Sequence, residues 1–226
     1  MTHPIFYSFR RCPYAMRARL ALAYAACQVE LREIVLRNKP AHMVEVSPKA
    51  TVPVLLLENG TVIDESFDIM RWALLHDDPD GWLDPSMQDS ASSTLTWLVF
   101  ETDMEGHFKK SLDRYKYFDR YPERSMESYR SECEAFIAKL ENKLQDQAYL
   151  HGDKTSLADM VVLPFIRQFA HVDRSWFAQR PYPNVQRWLN DFTESALFHS
   201  VMNKYPVWQE GDPPTLFPQE KEQVAL

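Results

Sequence analysis

Glycine is scarce in this chain, with five in 226 residues. No glycine-rich loop suited to cradling a phosphate is present. No apolar run reaches the roughly 20 residues that a membrane span requires. The first residues offer no secretory pattern, because Arg10 and Arg11 interrupt it early. Cysteine is rare too: Cys12, Cys27 and Cys133 are odd in number and show no metal-like clustering. That argues against a disulfide framework or a metal site, and for a reduced, cytoplasmic chain with free thiols. The formal charge of −7 and the pI near 5.5 exclude a broad nucleic-acid or anionic-membrane surface. Aromatics are plentiful, with 6 Trp, 13 Phe and 10 Tyr, enough for a well-filled core or an apolar cleft.

The length allows one large domain or two small ones, and the pattern favours two. Ile5–Phe9 reads as a strand, Pro13–Ala26 as a helix and Val29–Val35 as a second strand. A short helical or irregular stretch covers Pro40–Val46. Val54–Leu57, a Glu58-Asn59-Gly60 turn and Thr61–Asp64 form a hairpin, and Ser66 is placed to cap a helix to about Leu75. The order βαβ–α–ββα is that of a thioredoxin-like α/β domain over residues 1–78. Beyond a turn-rich linker at 76–81 the strand signals vanish. Gln88–Tyr117 and Glu123–Gln147 carry helical spacing, and Ser156-Leu157-Ala158-Asp159 resembles a capping box with Asp at its last position. Val185–Phe192 and Glu194–Tyr205 read as closing helices. The expectation is an all-α bundle over 86–210 and an extended surface tail over 211–226.

Cys12 carries the chemistry. It sits between a strand and a helix, followed by Pro13, which suits the first helical position. Unpaired N–H groups and the positive end of the helix dipole favour thiolate over thiol there. A thiol pKa lowered from about 8.5 to about 6.5 raises the thiolate fraction at pH 7 from roughly 3 % to roughly 75 %. Arg10, Arg11 and Arg17 add positive charge nearby. Ala15 stands where a dithiol enzyme has its second cysteine, so the chemistry reads as monothiol.

A second constellation complements this sulfur. In Thr51-Val52-Pro53-Val54, a cis Val52–Pro53 bond would turn the Val52 backbone toward a cleft, where a bound peptide could pair with it. Glu65 can accept from an ammonium, while the Ser66 hydroxyl and N–H can hold a carboxylate at a helix start. A small peptide with a thiol, an internal amide and an amino-carboxylate end matches all of these, and glutathione is such a molecule.

These motifs resemble the glutathione transferase superfamily, and within it the cysteine-type, omega-like members. The carrying residues are Cys12-Pro13-Tyr14-Ala15 with Arg17 and Arg19, Asn38-Lys39-Pro40, Val52-Pro53-Val54-Leu55, Glu65-Ser66, and Gly152-Asp153 with Ser156–Asp159. The resemblance implies the glutathione transferase fold, with glutathione as co-substrate. It also implies that Cys12 forms a mixed disulfide, Val52 pairs with the cysteinyl backbone, Glu65 and Ser66 bind the γ-glutamyl end, and Lys39 meets the glycine carboxylate. A homodimer acting on a small electrophile or disulfide follows from the same likeness. Ser156 and Asp159 would be a folding element of the second domain. Ala50 departs from the pattern, since many relatives carry glycine before the cis-proline turn.

Other residues have plainer readings. Cys27 and Cys133 fit inert thiols. Tyr7 stands near the position of the hydroxyl in tyrosine-type transferases, but Cys12 displaces that role. Trp97, Phe100, Glu101, His107 and Phe108 could line a pocket for a second substrate, though each fits a core position better. Two further functions stay open at this point: a non-catalytic binding or regulatory protein on the same scaffold, and a conjugating or isomerising transferase.

Overall fold

A computed structural model describes residues 3–83 and 104–219 of the chain. It divides into two compact units, Met1–Asp80 with Thr193–Leu226, and Gly81–Phe192. The fold is the expected one, a thioredoxin-like α/β unit and a helical one.

The first unit is built on strands β1 (Ile5–Ser8), β2 (Val29–Glu33), β3 (Val54–Leu56) and β4 (Val62–Ile63), and helices α1 (Pro13–Tyr24), α2 (Ala41–Val46) and α3 (Ser66–Leu74). β1 runs parallel to β2, with Ile5 opposite Glu30, and antiparallel to β3, with Phe6 opposite Leu55. The β1–α1–β2 crossover is the reason those strands are parallel, since a tight hairpin would force them antiparallel. β2 alternates, burying Val29, Leu31 and Glu33, whereas α1 is buried almost all round. That is why α1 is rich in alanine and leucine rather than amphipathic. One side of the sheet core gathers Tyr7, Ala15, Ile34, Met43, Val52 and Val54.

Charge is buried here only with partners. Arg19, fully buried, donates from Nε to Ser8 Oγ at 2.9 Å and from Nη1 to the Val201 carbonyl at 3.0 Å, and it pairs with Glu33. Burial pushes the Glu33 carboxyl above its ordinary range and pulls the Arg19 guanidinium down, against their mutual attraction. Val201 ends a short helix, Ala196–Val201, which packs on α1.

The expected surface tail departs from expectation at its end. Leu216–Phe217 forms a fifth strand, β5, antiparallel to β2. The sheet order is therefore β4-β3-β1-β2-β5. Trp208 N–H donates to the Glu33 carbonyl at 2.8 Å, and Leu31 N–H to the Thr215 carbonyl at 2.7 Å. Residues 193–226 thus group with the first unit, where the sequence pattern put 193–210 in the helical domain and 211–226 outside both. The apolar pair Leu216-Phe217 is too short to register as a strand until an unpaired β2 edge is there to receive it. Phe217 is fully buried as a result.

In the second unit a π turn, Met104–Phe108, leads into α4 (Lys109–Lys116). α5 (Met126–Lys143), α6 (Leu157–Ala170), the short α7 (Arg174–Ala178) and α8 (Pro183–Glu194) follow. Rings of Phe108, Phe136 and Phe169 meet in its core. Ser156 and Asp159 form the capping box of α6. Phe108 is core, and His107 is exposed. Trp97, Phe100 and Glu101 lie outside the described residues.

Candidate active site

Cys12 occupies the N-cap position of α1, in extended backbone (φ −76°, ψ 124°), and Pro13 opens the helix. Its carbonyl accepts the first helical bond, from Met16 N–H at 2.9 Å. The side chain makes no capping hydrogen bond, and the sulfur is partly buried at the helix end that carries the positive pole of the dipole. The Cys12 Sγ lies 3.9 Å from the Val52 carbonyl oxygen.

Val52 comes to the sulfur because of the turn that precedes β3. The Val52–Pro53 bond is cis, and Ala50 takes a left-handed backbone (φ 51°). Glycine would adopt that conformation without the steric cost that a Cβ brings. Ala50 therefore carries at this turn a steric cost that glycine would not.

The acid and hydroxyl pair sits at the start of α3, with a change of register from expectation. Glu65, not Ser66, is the N-cap residue, and its side chain makes no capping hydrogen bond. Ser66 is the first helical residue and is buried. Arg17, fully buried in α1, donates from Nη1 to Ser66 Oγ at 3.3 Å. An oxygen that accepts from arginine keeps its own proton to donate, which suits a carboxylate at this helix start. Arg17 thus joins the site through Ser66. Of the other two arginines expected near Cys12, Arg10 is committed elsewhere, its N–H to Glu33 at 2.7 Å and its guanidinium to the Met202 carbonyl at 3.2 Å. Arg11 is exposed and lies over the Phe9 ring.

Lys39 is exposed in the loop between β2 and α2. It lines an open groove of about 1170 Å³ together with Arg32, His42 and Trp208, and Cys12, Val52, Glu65 and Ser66 are not among the lining residues. The structure brings Cys12 and Val52 together, keeps Glu65 and Ser66 adjacent, and puts Lys39 on a separate groove wall. Tyr7 is fully buried, accepting from Arg32 Nη1 at 2.8 Å and bonding His42 Nδ1 at 2.6 Å. Burial raises the Tyr7 pKa, with Arg32 opposing, so this phenol is a poor source of phenolate.

The sequence reading missed one residue. Lys49 reaches both Asp64, at 3.0 Å, and Glu65, at 2.6 Å. Lys49 lies 15 and 16 positions from these acids. The only signal for it was an acidic pair that would need a cation once the hairpin folded back.

Cys27 and Cys133 behave as the inert thiols expected. Burial, then Asp77, pushes the Cys27 thiol up to about 11. Burial pushes Cys133 further up. The Cys27 thiol donates to the Ala73 carbonyl at 3.7 Å. Among the described residues no cluster suited to a metal ion occurs, and no helix is long and apolar enough to cross a membrane.

Comparison with known proteins agrees with this fold. Residues 6–82 match the family model "Glutathione S-transferase, N-terminal domain", and residues 95–196 match "Glutathione S-transferase, C-terminal domain". The chain is 26 % identical to glutathione S-transferase GstB of Escherichia coli K12 over 170 residues, 73 % of this chain and 79 % of that protein. It is 24 % identical to glutathione S-transferase omega-1 of Rattus norvegicus, over 86 % of this chain and 78 % of that one. Elongation factor 1-gamma of Drosophila melanogaster matches at 22 % identity over 87 % of this chain but only 45 % of its own length. Among solved structures, a Pseudomonas fluorescens glutathione transferase family member with two glutathione bound shares the fold. Its TM-score is 0.72 at 19 % identity, covering 88 % of this chain and 92 % of that one.

Proposed function

The chain belongs to the glutathione S-transferase family, and we propose that within it Cys12 makes the protein a glutathione-dependent thiol transferase of omega-like type. The observation that carries this reading is a cysteine, rather than a serine or tyrosine hydroxyl, at the cap of α1 and within 3.9 Å of the Val52 carbonyl. A helix-cap sulfur favours its thiolate. That thiolate attacks the glutathionyl sulfur of a mixed disulfide. A bond forms between Cys12 and the glutathionyl sulfur, and the substrate thiolate leaves. A second glutathione thiolate then attacks the Cys12 disulfide, giving oxidised glutathione and restoring the Cys12 thiolate. Deglutathionylation follows this cycle directly. A glutathionyl carbon–sulfur adduct enters it with a carbanion, which takes up a proton, as the leaving group. Dehydroascorbate-type reduction joins it after Cys12 adds to a carbonyl carbon and a glutathione thiolate attacks the Cys12 sulfur, which expels the reduced substrate and leaves the same Cys12–glutathione disulfide.

In this reading Val52 pairs with the cysteinyl backbone, Glu65 takes the α-ammonium and Ser66 the α-carboxylate of the γ-glutamyl residue. Lys39 takes the glycine carboxylate, and its place on the groove wall makes it the weakest member of the set. A homodimer and a cytoplasmic setting go with the same reading.

Mass spectrometry after mixing with oxidised glutathione tests it. One glutathionyl group on Cys12, absent in Cys12→Ser, is the expected result; an unmodified Cys12 refutes the proposal. The likeness to elongation factor 1-gamma favours a second reading, a binding module on the same scaffold. That reading gains if Cys12 stays unmodified while the protein still folds.

A further inference from the structure

The acids at the start of α3 already hold a cation, and the chain itself supplies it. Lys49 lies in the loop between α2 and the cis Val52–Pro53 turn. Its Nζ is 3.0 Å from Asp64 Oδ1 and 2.6 Å from Glu65 Oε1. Asp64 is a fixed anion: the buried Ser47 donates its Oγ–H to Asp64 Oδ2 at 2.7 Å. Burial alone would raise the Asp64 carboxyl, but the hydrogen bonds from Ser47 and Lys49 outweigh it and hold it below the usual range. The Lys49 side chain is 52 % exposed, and it meets the acids only through its terminal ammonium. It can leave without disturbing the core.

The function proposed above sends the α-ammonium of a γ-glutamyl residue to Glu65. That group and the Lys49 Nζ carry the same charge and the same three donors. They compete for one place. We infer that Lys49 is a specificity-determining residue, an internal stand-in for the ligand ammonium at Asp64 and Glu65 that is displaced when a γ-glutamyl ligand binds. The inference rests on the glutathione reading of this site.

The consequence concerns selectivity. An analogue lacking the α-amino group leaves Lys49 in place, and its carboxylate meets acids that are already neutralised. Glutathione must first break an exposed double ion pair. Lys49 therefore narrows the preference for ligands that carry the amine. Without it, Asp64 and Glu65 attract the ammonium undiminished and repel the amine-free analogue. Exposed pairs of this kind contribute modestly, so the change in affinity is about three- to tenfold.

Isothermal titration calorimetry with S-methylglutathione, which cannot form a disulfide with Cys12, provides the test. Its des-amino analogue is titrated in parallel, against the wild-type chain, Lys49→Met and Lys49→Arg. Lys49→Met should bind S-methylglutathione about three- to tenfold more tightly and the des-amino analogue no better, while Lys49→Arg stays close to wild type. Weaker or unchanged binding of S-methylglutathione by Lys49→Met overturns the inference, as does equal tightening for both ligands. No binding of either ligand by any of the chains overturns the glutathione site itself, and this inference with it.

Discussion

Replacing Asp159 should damage folding without touching the chemistry. This carboxylate is fully buried in the second unit. Its Oδ1 accepts from Leu150 N–H and Trp188 Nε1–H, both at 2.9 Å. Its Oδ2 accepts from Ser156 N–H at 2.9 Å and Ser156 Oγ–H at 2.7 Å. One side chain therefore fixes the loop before α6, the α6 cap and the indole of α8. Burial raises its pKa, and the four hydrogen bonds work against that rise. Asp159→Ala leaves three rigid N–H donors facing apolar surroundings, each costing about 1–3 kcal/mol, while the hydroxyl of Ser156 can rotate away. Removing a costly buried charge returns part of this, so the net loss should be about 3–5 kcal/mol, a large share of the roughly 5–15 kcal/mol that holds a typical domain. Asp159→Asn keeps the two Oδ1 bonds and should lose about half as much. Urea unfolding followed by tryptophan fluorescence measures the shift in midpoint, with the slope unchanged. Under the proposed function, thiol-transfer turnover per folded molecule should stay at the wild-type value. A loss below about 1 kcal/mol for Asp159→Ala would refute the claim that these donors depend on this carboxylate.

Two further outcomes follow from shifted groups. Burial, then Arg167 and Arg174, lowers the His171 pKa from 6.5 to about 4, so the folded chain keeps its ring neutral while the unfolded chain protonates it. Its stabilising contribution is complete above pH 6.5 and fades as the pH falls toward 4. The ring reaches solvent, which reduces the effect, but His171→Gln should still lessen the drop in Tm between about pH 7 and about pH 5, and parallel Tm curves for the two chains would contradict this. Iodoacetamide at neutral pH should label Cys12 alone, because burial raises Cys27 to about 11 and Cys133 further still. Peptide mapping that finds Cys27 labelled as fast as Cys12 would refute it.

Much of the first unit was legible because its signals are local. Pro13 after Cys12 marks a helix start whatever packs on it, and β2 alternates as its sequence does. The Ser156–Asp159 box is a four-residue pattern, and it caps α6 as written. The cis bond before Pro53 was legible only through resemblance, since no local rule separates it from an ordinary strand-opening proline. Ser66 was legible as a helix-start residue, but its register was off by one: Glu65 takes the cap, and Ser66 turns inward to Arg17. Boundaries shift in this way because a cap is chosen by burial and partners as much as by residue type.

The sequence by itself determined which groups are available: one thiol at a helix start, an acid and a hydroxyl at another, and an alternation that builds a small sheet. Short-range sterics and hydrogen bonding decide such features, and these act between neighbours in the chain. Tertiary structure alone decided which groups meet. It brought the Val52 carbonyl to Cys12, set Arg17 against Ser66, laid Lys49 across Asp64 and Glu65, and drew Leu216–Phe217 onto the open edge of β2. Those pairings join residues from 15 to more than 180 positions apart. Coulomb attraction and an unpaired strand edge act on distance in space, and only the folded chain defines that distance.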